Sequence, residues 1–128
     1  MDMLVRRVTP LTVVPDIGPL ARQYNDLGFM TIDTGAPGCI GLQAGESYLI
    51  LASDAHMVAD FDPSSVAPLS GRTIPYIHVR NIDAALDRLP PTSHVLGRAA
   101  TRGGTLEAVV EQEGQYMIFA ERISPAAA

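Results

Sequence analysis

Apolar residues repeat at helical spacing once in the first third of the chain, between segments that have the pattern of β-strands. Residues 5–14 are rich in Val, Leu and Thr, which favours a strand, and Asp16 just after them is a typical helix N-cap. The apolar stripe of the following helix consists of Ile17, Leu20, Ala21, Tyr24 and Leu27. Three short strands are expected next, at 29–34, 39–43 and 47–52, because turn-forming residues separate them.

The same strand–helix–three-strand order recurs in the second half of the chain. Residues 73–80 are a predicted strand, Asn81 is the next N-cap, and Pro90 stops the second helix. Three more strands are expected, at 94–101, 105–111 and 115–122. An offset of 65 residues pairs Val14 with Val79, Asp16 with Asn81, and Ile17 with Ile82. Two strand-to-helix corners built alike indicate an internal repeat.

The sequence therefore predicts a single α+β domain made of two βαβββ modules. Module one covers about residues 4–53 and module two about residues 73–122. The segment 54–72 between them is rich in Asp, Ser and Pro and has little periodicity, so it is interpreted as a surface linker. Residues 123–128 are interpreted as a frayed tail.

Composition narrows the classes of function. Hydrophobic residues make up 47% of the chain and charged residues 18%, which is typical of a folded domain. The net charge of −5, with no cluster of Lys or Arg, argues against nucleic acid as a partner. A single cysteine, Cys39, excludes an internal disulfide, and no apolar run has the length of a membrane span or a signal peptide. We therefore expect a cytoplasmic protein with neither nucleic acid nor membrane as a partner.

Several short motifs resemble those of the vicinal-oxygen-chelate superfamily, which includes glyoxalases, extradiol dioxygenases and bleomycin-resistance proteins. Residues 14–16 resemble its V-x-D corner, and residues 23–29 resemble its F-Y-x-x-L-G-F motif. In the second half, residues 103–105 and 111–114 resemble W-G-G-T followed by D-P-D-G. Arg102 replaces the usual Trp of that motif. The resemblance covers nearly the whole chain and is greatest to the metal-free, bleomycin-resistance-like branch.

The resemblance implies two βαβββ modules in a pseudo-twofold repeat, with mixed sheets that curl around one concave cavity. Catalytic relatives hold a divalent metal there through a His early in each first strand and a Glu late in each last strand. The corresponding residues of this chain are Thr9, Ile50, Ile74 and Ile118. Since three of the four are aliphatic, we expect no metal site and no cofactor.

Polar side chains on the strand 73–80 are the first candidates for ligand contacts. Alternation places Tyr76, His78 and Arg80 on one face, with Ile77 and Val79 packed under the helices. His78 could instead be an ordinary hydrogen-bonded strand histidine. Three further candidates are Glu107, Tyr48 and Tyr116.

These three candidates have alternatives of their own. Glu107 could face either the cavity or solvent, because either face of a sheet can be wet. Tyr48 and Tyr116 share strand faces with the former metal-ligand positions, but they could also be packing aromatics.

The resemblance and the missing metal ligands together favour a small-molecule-binding homodimer. Its ligand could be an antibiotic or another cationic or amphipathic compound, which the acidic net charge would suit. One alternative is a superfamily enzyme, a lyase, isomerase or dioxygenase, with a non-standard active site built from His78, Glu107 and Tyr76. Another alternative is a dimeric interaction module without a ligand. The absence of the usual ligands weighs against an enzyme.

Overall fold

A computed structural model describes residues 3–123 as an α+β protein with two compact units. The middle unit is Thr9–Ile74, and the terminal unit comprises the described residues 3–8 and 75–123. The two boundaries fall within the first strand, β1 (Val5–Val14), and within the strand at Arg72–Val79. The single domain with two modules stays a prediction. Apart from Ile123, the predicted tail lies outside the described residues.

The middle unit repeats the predicted order of strand, helix and three strands. After β1 come α1 (Ile17–Asp26), β2 (Met30–Ala36), β3 (Cys39–Ala44) and β4 (Ser47–Ser53). The strands lie in the order β2-β3-β4-β1, with β1 parallel to β4 and the other pairs antiparallel. Asp16 caps α1 as expected, because its side chain accepts a hydrogen bond of 3.0 Å from the backbone N–H of Gly18.

The segment expected to be a surface linker is partly buried and helical. It contains α2 (Asp54–Val58), α3 (Pro63–Val66) and a 3₁₀ turn at Ala67–Leu69. Four of its apolar side chains are buried: Met57, Phe61, Val66 and Leu69. The prediction of a surface segment was wrong because each helix spans only about one turn. So short a helix leaves no periodic stripe in the sequence.

The terminal unit has the same element order with a shorter helix. Its elements are β5 (Arg72–Val79), α4 (Ile82–Asp87), β6 (His94–Ala100), β7 (Thr105–Gln112) and β8 (Gln115–Arg122). The strands lie in the order β5-β8-β7-β6, with β5 parallel to β8. Asn81 caps α4 by accepting from the N–H of Ala84 at 2.8 Å. The Glu121 carboxylate accepts from the N–H of Ile82, also at 2.8 Å.

One face of these four strands packs against α4 and forms the core of the unit. The buried core residues are Val79, Ile82, Ala85, Ala108, Val110 and Phe119. Ile77 packs against the same cluster, as the alternation along β5 predicts. The fold class is thus confirmed as α+β with the strand–helix–three-strand order twice. Within residues 3–123 no helix combines the length and apolarity needed to cross a membrane.

Candidate functional site

Three neighbouring strands place polar side chains on the sheet face that points away from α4. Glu107 of β7 is paired with Ala120 of β8, and Ala120 is paired with His78 of β5. Tyr76 is paired with Ile118 in the next row. Since residues paired in register point to the same side of a sheet, Tyr76, His78 and Glu107 share this face. The small side chain of Ala120 separates the two polar ends of its row.

A buried carboxylate lies at the centre of these groups. Glu107 is only 8% exposed, and the Oε2 atom of its side chain accepts hydrogen bonds from the Tyr76 hydroxyl and from the Thr105 hydroxyl, the latter at 2.6 Å. The Thr105 Oγ1 is also 2.7 Å from the Thr101 Oγ1. We refer to Tyr76, His78, Thr105 and Glu107 as the polar cluster. The Glu107 side chain is thus buried and hydrogen-bonded to Tyr76 on this face of the sheet.

His78 lies beside Tyr76 and carries an unsatisfied ring nitrogen. The two ring centroids are 4.9 Å apart in an edge-to-face arrangement with an interplanar angle of 70°. The Nε2 atom is buried and has no hydrogen-bond partner among the described residues. Burial lowers the pKa of His78 from 6.5 to about 4, helped by the positive charges of Arg7 and Arg6. The imidazole is therefore neutral at pH 7.

The other three residues predicted to contact a ligand, Arg80, Tyr116 and Tyr48, are not part of the polar cluster. Arg80 follows the end of β5, and its Nε donates a 2.9 Å hydrogen bond to the carbonyl of Met3, so its side chain is bonded to Met3 and not to the polar cluster. Tyr116 is half-buried on β8, two residues from Ile118 and thus on the face of the polar cluster. Tyr48 belongs to the middle unit, where it is 39% exposed and lies over Gly41.

Thr105 and Thr101 are site residues that the sequence analysis did not single out. The signal was present for Thr105, which lies two positions before Glu107 and so shares its strand face. Thr101 precedes the two glycines of the loop that leads into β7, and no spacing rule connects it with Glu107.

The terminal unit also has an open apolar cleft of about 580 Å³ on the other side of its sheet. Leu4, Leu89 and Phe119 are among the residues that line it. Its walls belong to the α4 side, so the cleft is separate from the polar cluster.

Comparison with solved structures identifies the fold. A hypothetical protein of Bacillus halodurans C-125 matches with a TM-score of 0.60 at 16% identity, covering 95% of this chain and 98% of the other. A glyoxalase/bleomycin resistance protein/dioxygenase superfamily member from Vibrio splendidus 12B01 matches with a TM-score of 0.56 at 13% identity, covering 90% and 97%. The chain has the vicinal-oxygen-chelate fold. An uncharacterized protein of Methanosarcina mazei matches with a TM-score of 0.52 at 15% identity, covering 97% and 99%.

The vicinal-oxygen-chelate fold is thus shown by structure, whereas sequence comparison finds nothing. No protein-family model matches the chain, and no curated protein matches it. The relation to the metal-free branch within this fold stays a prediction.

The metal positions of the vicinal-oxygen-chelate fold do not fit a divalent cation in this chain. Ile118 is fully buried beside Tyr76, Ile74 is 4% exposed, and Ile50 is the third aliphatic residue of the set. Thr9, the fourth, offers one neutral hydroxyl. Hydrocarbon side chains have no donor atoms for a metal. Across residues 3–123, no group of three or more His, Cys, Asp or Glu side chains is arranged to hold a metal ion.

Proposed function

We propose that this chain binds a small molecule at the polar cluster, without a metal ion, and that the ligand is a cationic or amphipathic compound such as an antibiotic. The observation that carries the proposal is the buried, unsatisfied Nε2 of His78, which lies on the same sheet face as the buried Glu107 carboxylate. An unpaired buried polar atom costs about 1–3 kcal/mol, and a ligand that pairs with it recovers that cost. The negative net charge of the chain supports a cationic ligand.

The protonation state of His78 favours binding over acid–base catalysis. A general base works best when its pKa lies near the operating pH, and burial lowers the pKa of His78 to about 4. At neutral pH the imidazole is therefore a weak base but a competent hydrogen-bonding group. An enzyme of this fold that used His78, Tyr76 and Glu107 would need a stronger base.

We also propose that the protein is a homodimer in the cytoplasm. Support for an interface comes from β6, an outer strand of the terminal unit, where Val95 and Leu96 are 48% and 37% exposed. Light scattering at micromolar concentration should give twice the 13.6 kDa of one chain. The mass of one chain would refute the dimer.

The binding proposal can be tested with ligand-observed NMR on a panel of small aromatic amines, amides and acids. We expect at least one class to bind the wild-type protein and to bind His78→Ala about tenfold more weakly, the equivalent of one lost hydrogen bond. His94→Ala is the matched control, because His94 is an exposed histidine at the start of β6. A panel that binds wild type and His78→Ala equally would contradict the proposal.

A further inference from the structure

The open cleft of the terminal unit lies between the N-terminal segment and α4. Its lining residues are Met3, Leu4 and Val5 of the N-terminal segment, Ala85, Arg88 and Leu89 in and just after α4, and Phe119 of β8. Two hydrogen bonds from Arg80 hold the N-terminal wall. The Leu4 carbonyl accepts from the Arg80 backbone N–H at 2.9 Å, and the Met3 carbonyl accepts from the Arg80 Nε, also at 2.9 Å.

The bottom of the cleft is continuous with the apolar core, whereas its mouth exposes hydrocarbon to water. Phe119 is 7% exposed and belongs to the buried core cluster, and Leu4 and Leu89 pack against that cluster. Met3 is 72% exposed and Val5 is 40% exposed. A hydrocarbon chain in the cleft extends the core and removes these two side chains from water, which is favourable.

Arg88 is the one charged residue among the described residues that line the cleft. It lies three residues after Ala85 and therefore on the same flank of the helix. The two acidic residues of α4, Asp83 and Asp87, are four residues apart and share a different flank. Asp83 is paired at 3.0 Å with Arg98 of β6, and within residues 3–123 Arg88 forms no ion pair. The cleft thus combines apolar walls with one available positive charge.

The size of the cleft favours a small molecule over a second copy of the chain. Seven described residues line it, whereas a stable protein–protein interface takes about 20–30 residues from each side. Its volume of about 580 Å³ lies within the range of about 300–1,000 Å³ that is usual for small-molecule sites. The surface proposed for the dimer, β6, is at the other end of the strand order β5-β8-β7-β6.

We infer that this cleft binds an amphipathic compound with an anionic head group, whose hydrocarbon contacts Leu4, Leu89 and Phe119 and whose head group binds the Arg88 guanidinium. The inference goes beyond the proposed function, because the cleft lies on the α4 side of the strands and the polar cluster lies on the opposite face. A guanidinium donates two parallel hydrogen bonds to a carboxylate or phosphate group. A cationic head group would meet a like charge there.

Octanoate, octanol and octyltrimethylammonium test the inference, because they share one alkyl chain and differ in charge. They are titrated into the whole protein with isotope-labelled methionine methyl groups. Octanoate should give a saturable shift at Met3 and little change at Met30, which is 66% exposed but belongs to the middle unit. Octyltrimethylammonium should bind at least about threefold more weakly than octanoate, which is the size of effect expected for an exposed ion pair.

Variants connect this preference to the residues that carry it. Arg88→Gln should remove the preference for octanoate, whereas Arg22→Gln, at an exposed position of α1, should leave it unchanged. Val5→Glu should weaken octanoate binding at least about tenfold, because it places a carboxylate in the apolar wall. Val8→Glu is the matched control, since Val8 is 56% exposed on the same strand and does not line the cleft. Backbone amide spectra verify that each variant is folded.

Four outcomes would overturn the inference. Equal affinities of octanoate and octyltrimethylammonium, or an unchanged preference in Arg88→Gln, would exclude the anionic head group. A Met3 methyl that shows no saturable shift would exclude the cleft. Shifts at His78 in place of Met3 would move the amphiphile to the polar cluster. A Met3 shift that follows protein concentration without any probe, and that octanoate does not reverse, would assign the cleft to a second copy.

Discussion

The two units carry the same row of residues across three strands, but the ends of the row differ in chemistry. In the middle unit the row runs Val13–Ala52–Cys39, and in the terminal unit it runs His78–Ala120–Glu107. Each row has an alanine in the last strand, flanked by a residue of the first strand and one of the third. One register therefore supports an apolar row in one unit and a polar row in the other.

The adjacent row shows the same contrast. Leu11 is paired with Ile50 in the middle unit, whereas Tyr76 is paired with Ile118 in the terminal unit. Leu11 is 3% exposed and simply fills space, while the Tyr76 hydroxyl binds the Glu107 carboxylate. The fold is common to both units, so the proposed binding chemistry depends on the few side chains that replace hydrocarbon on this face.

The largest expected effect tests which face of β5 is core. Ile77→Ala should lower the free energy of unfolding by about 2–5 kcal/mol, because Ile77 packs against the buried cluster around Val79. His78→Ala should lower it by about 1 kcal/mol or less, because it removes a polar ring with an unpaired atom. Urea denaturation of both variants gives the comparison. A greater loss for His78→Ala would mean that the face assignment is wrong.

The second-largest effect is expected in the dependence of stability on pH. It arises from His78, which can bind a proton, whereas its counterpart in the middle unit, Val13, cannot. The pKa of His78 is about 4 in the folded protein, and its ordinary value of 6.5 applies to the unfolded chain. Between pH 4 and pH 6.5 the unfolded chain therefore binds a proton that the folded chain does not. The free energy of unfolding should therefore fall as pH drops from 6.5 to 4, with a slope from this group of at most about 1.4 kcal/mol per pH unit. The half-buried position of His78 makes the slope smaller.

Removal of the imidazole checks that assignment. His78→Gln should flatten the stability profile in this pH window, as measured by urea denaturation at several pH values. An unchanged slope, or a His78 ring that titrates near pH 6.5 by NMR, would contradict the lowered pKa.

A smaller effect is expected on the equivalent face of the middle unit. A Cβ atom added at Gly41 would collide with the ring of Tyr48, which is 39% exposed and can partly yield. Gly41→Ala should therefore cost about 1 kcal/mol in the wild-type background. In a Tyr48→Ala background it should be neutral or stabilise by about 0.4–1 kcal/mol, because alanine restricts the unfolded chain. Equal costs in both backgrounds would show that Tyr48 does not occupy this space.

The smallest effect concerns metals. Dialysis against a chelator should leave the melting temperature unchanged, and elemental analysis before dialysis should find well below one equivalent of Zn, Mn, Fe, Ni or Co per chain. The reason is the hydrocarbon at three of the four ligand positions. Stoichiometric metal that is lost in His78→Ala would overturn this expectation.

Much of the fold could be predicted because its local signals are strong and agree with one another. Asp16 and Asn81 both cap helices in the structure, as their positions after valine-rich strands predict. The alternation along β5 likewise predicts that Ile77 packs against the core, as it does in the structure.

The site was less predictable because it depends on packing across strands. Glu107 lies in β7 before Ala108, Val109 and Val110, which are all fully buried. A strand buried on both faces has no alternation that could show which way Glu107 points. The contact of Arg80 with Met3 joins residues 77 positions apart in the sequence, which no local pattern encodes. The burial of Phe61 depends on tertiary packing in the same way.

The central claim is that binding takes place at the polar residues of these two rows in the terminal unit and not at their apolar counterparts in the middle unit. Titration of isotope-labelled protein with the tightest-binding compound of the NMR panel, followed by backbone amide NMR, tests it directly. The account predicts the largest shifts at Tyr76, His78 and Glu107, with little change at Leu11, Val13 and Cys39. Shifts concentrated at Leu11, Val13 and Cys39, or no saturable shift in either row, would contradict it.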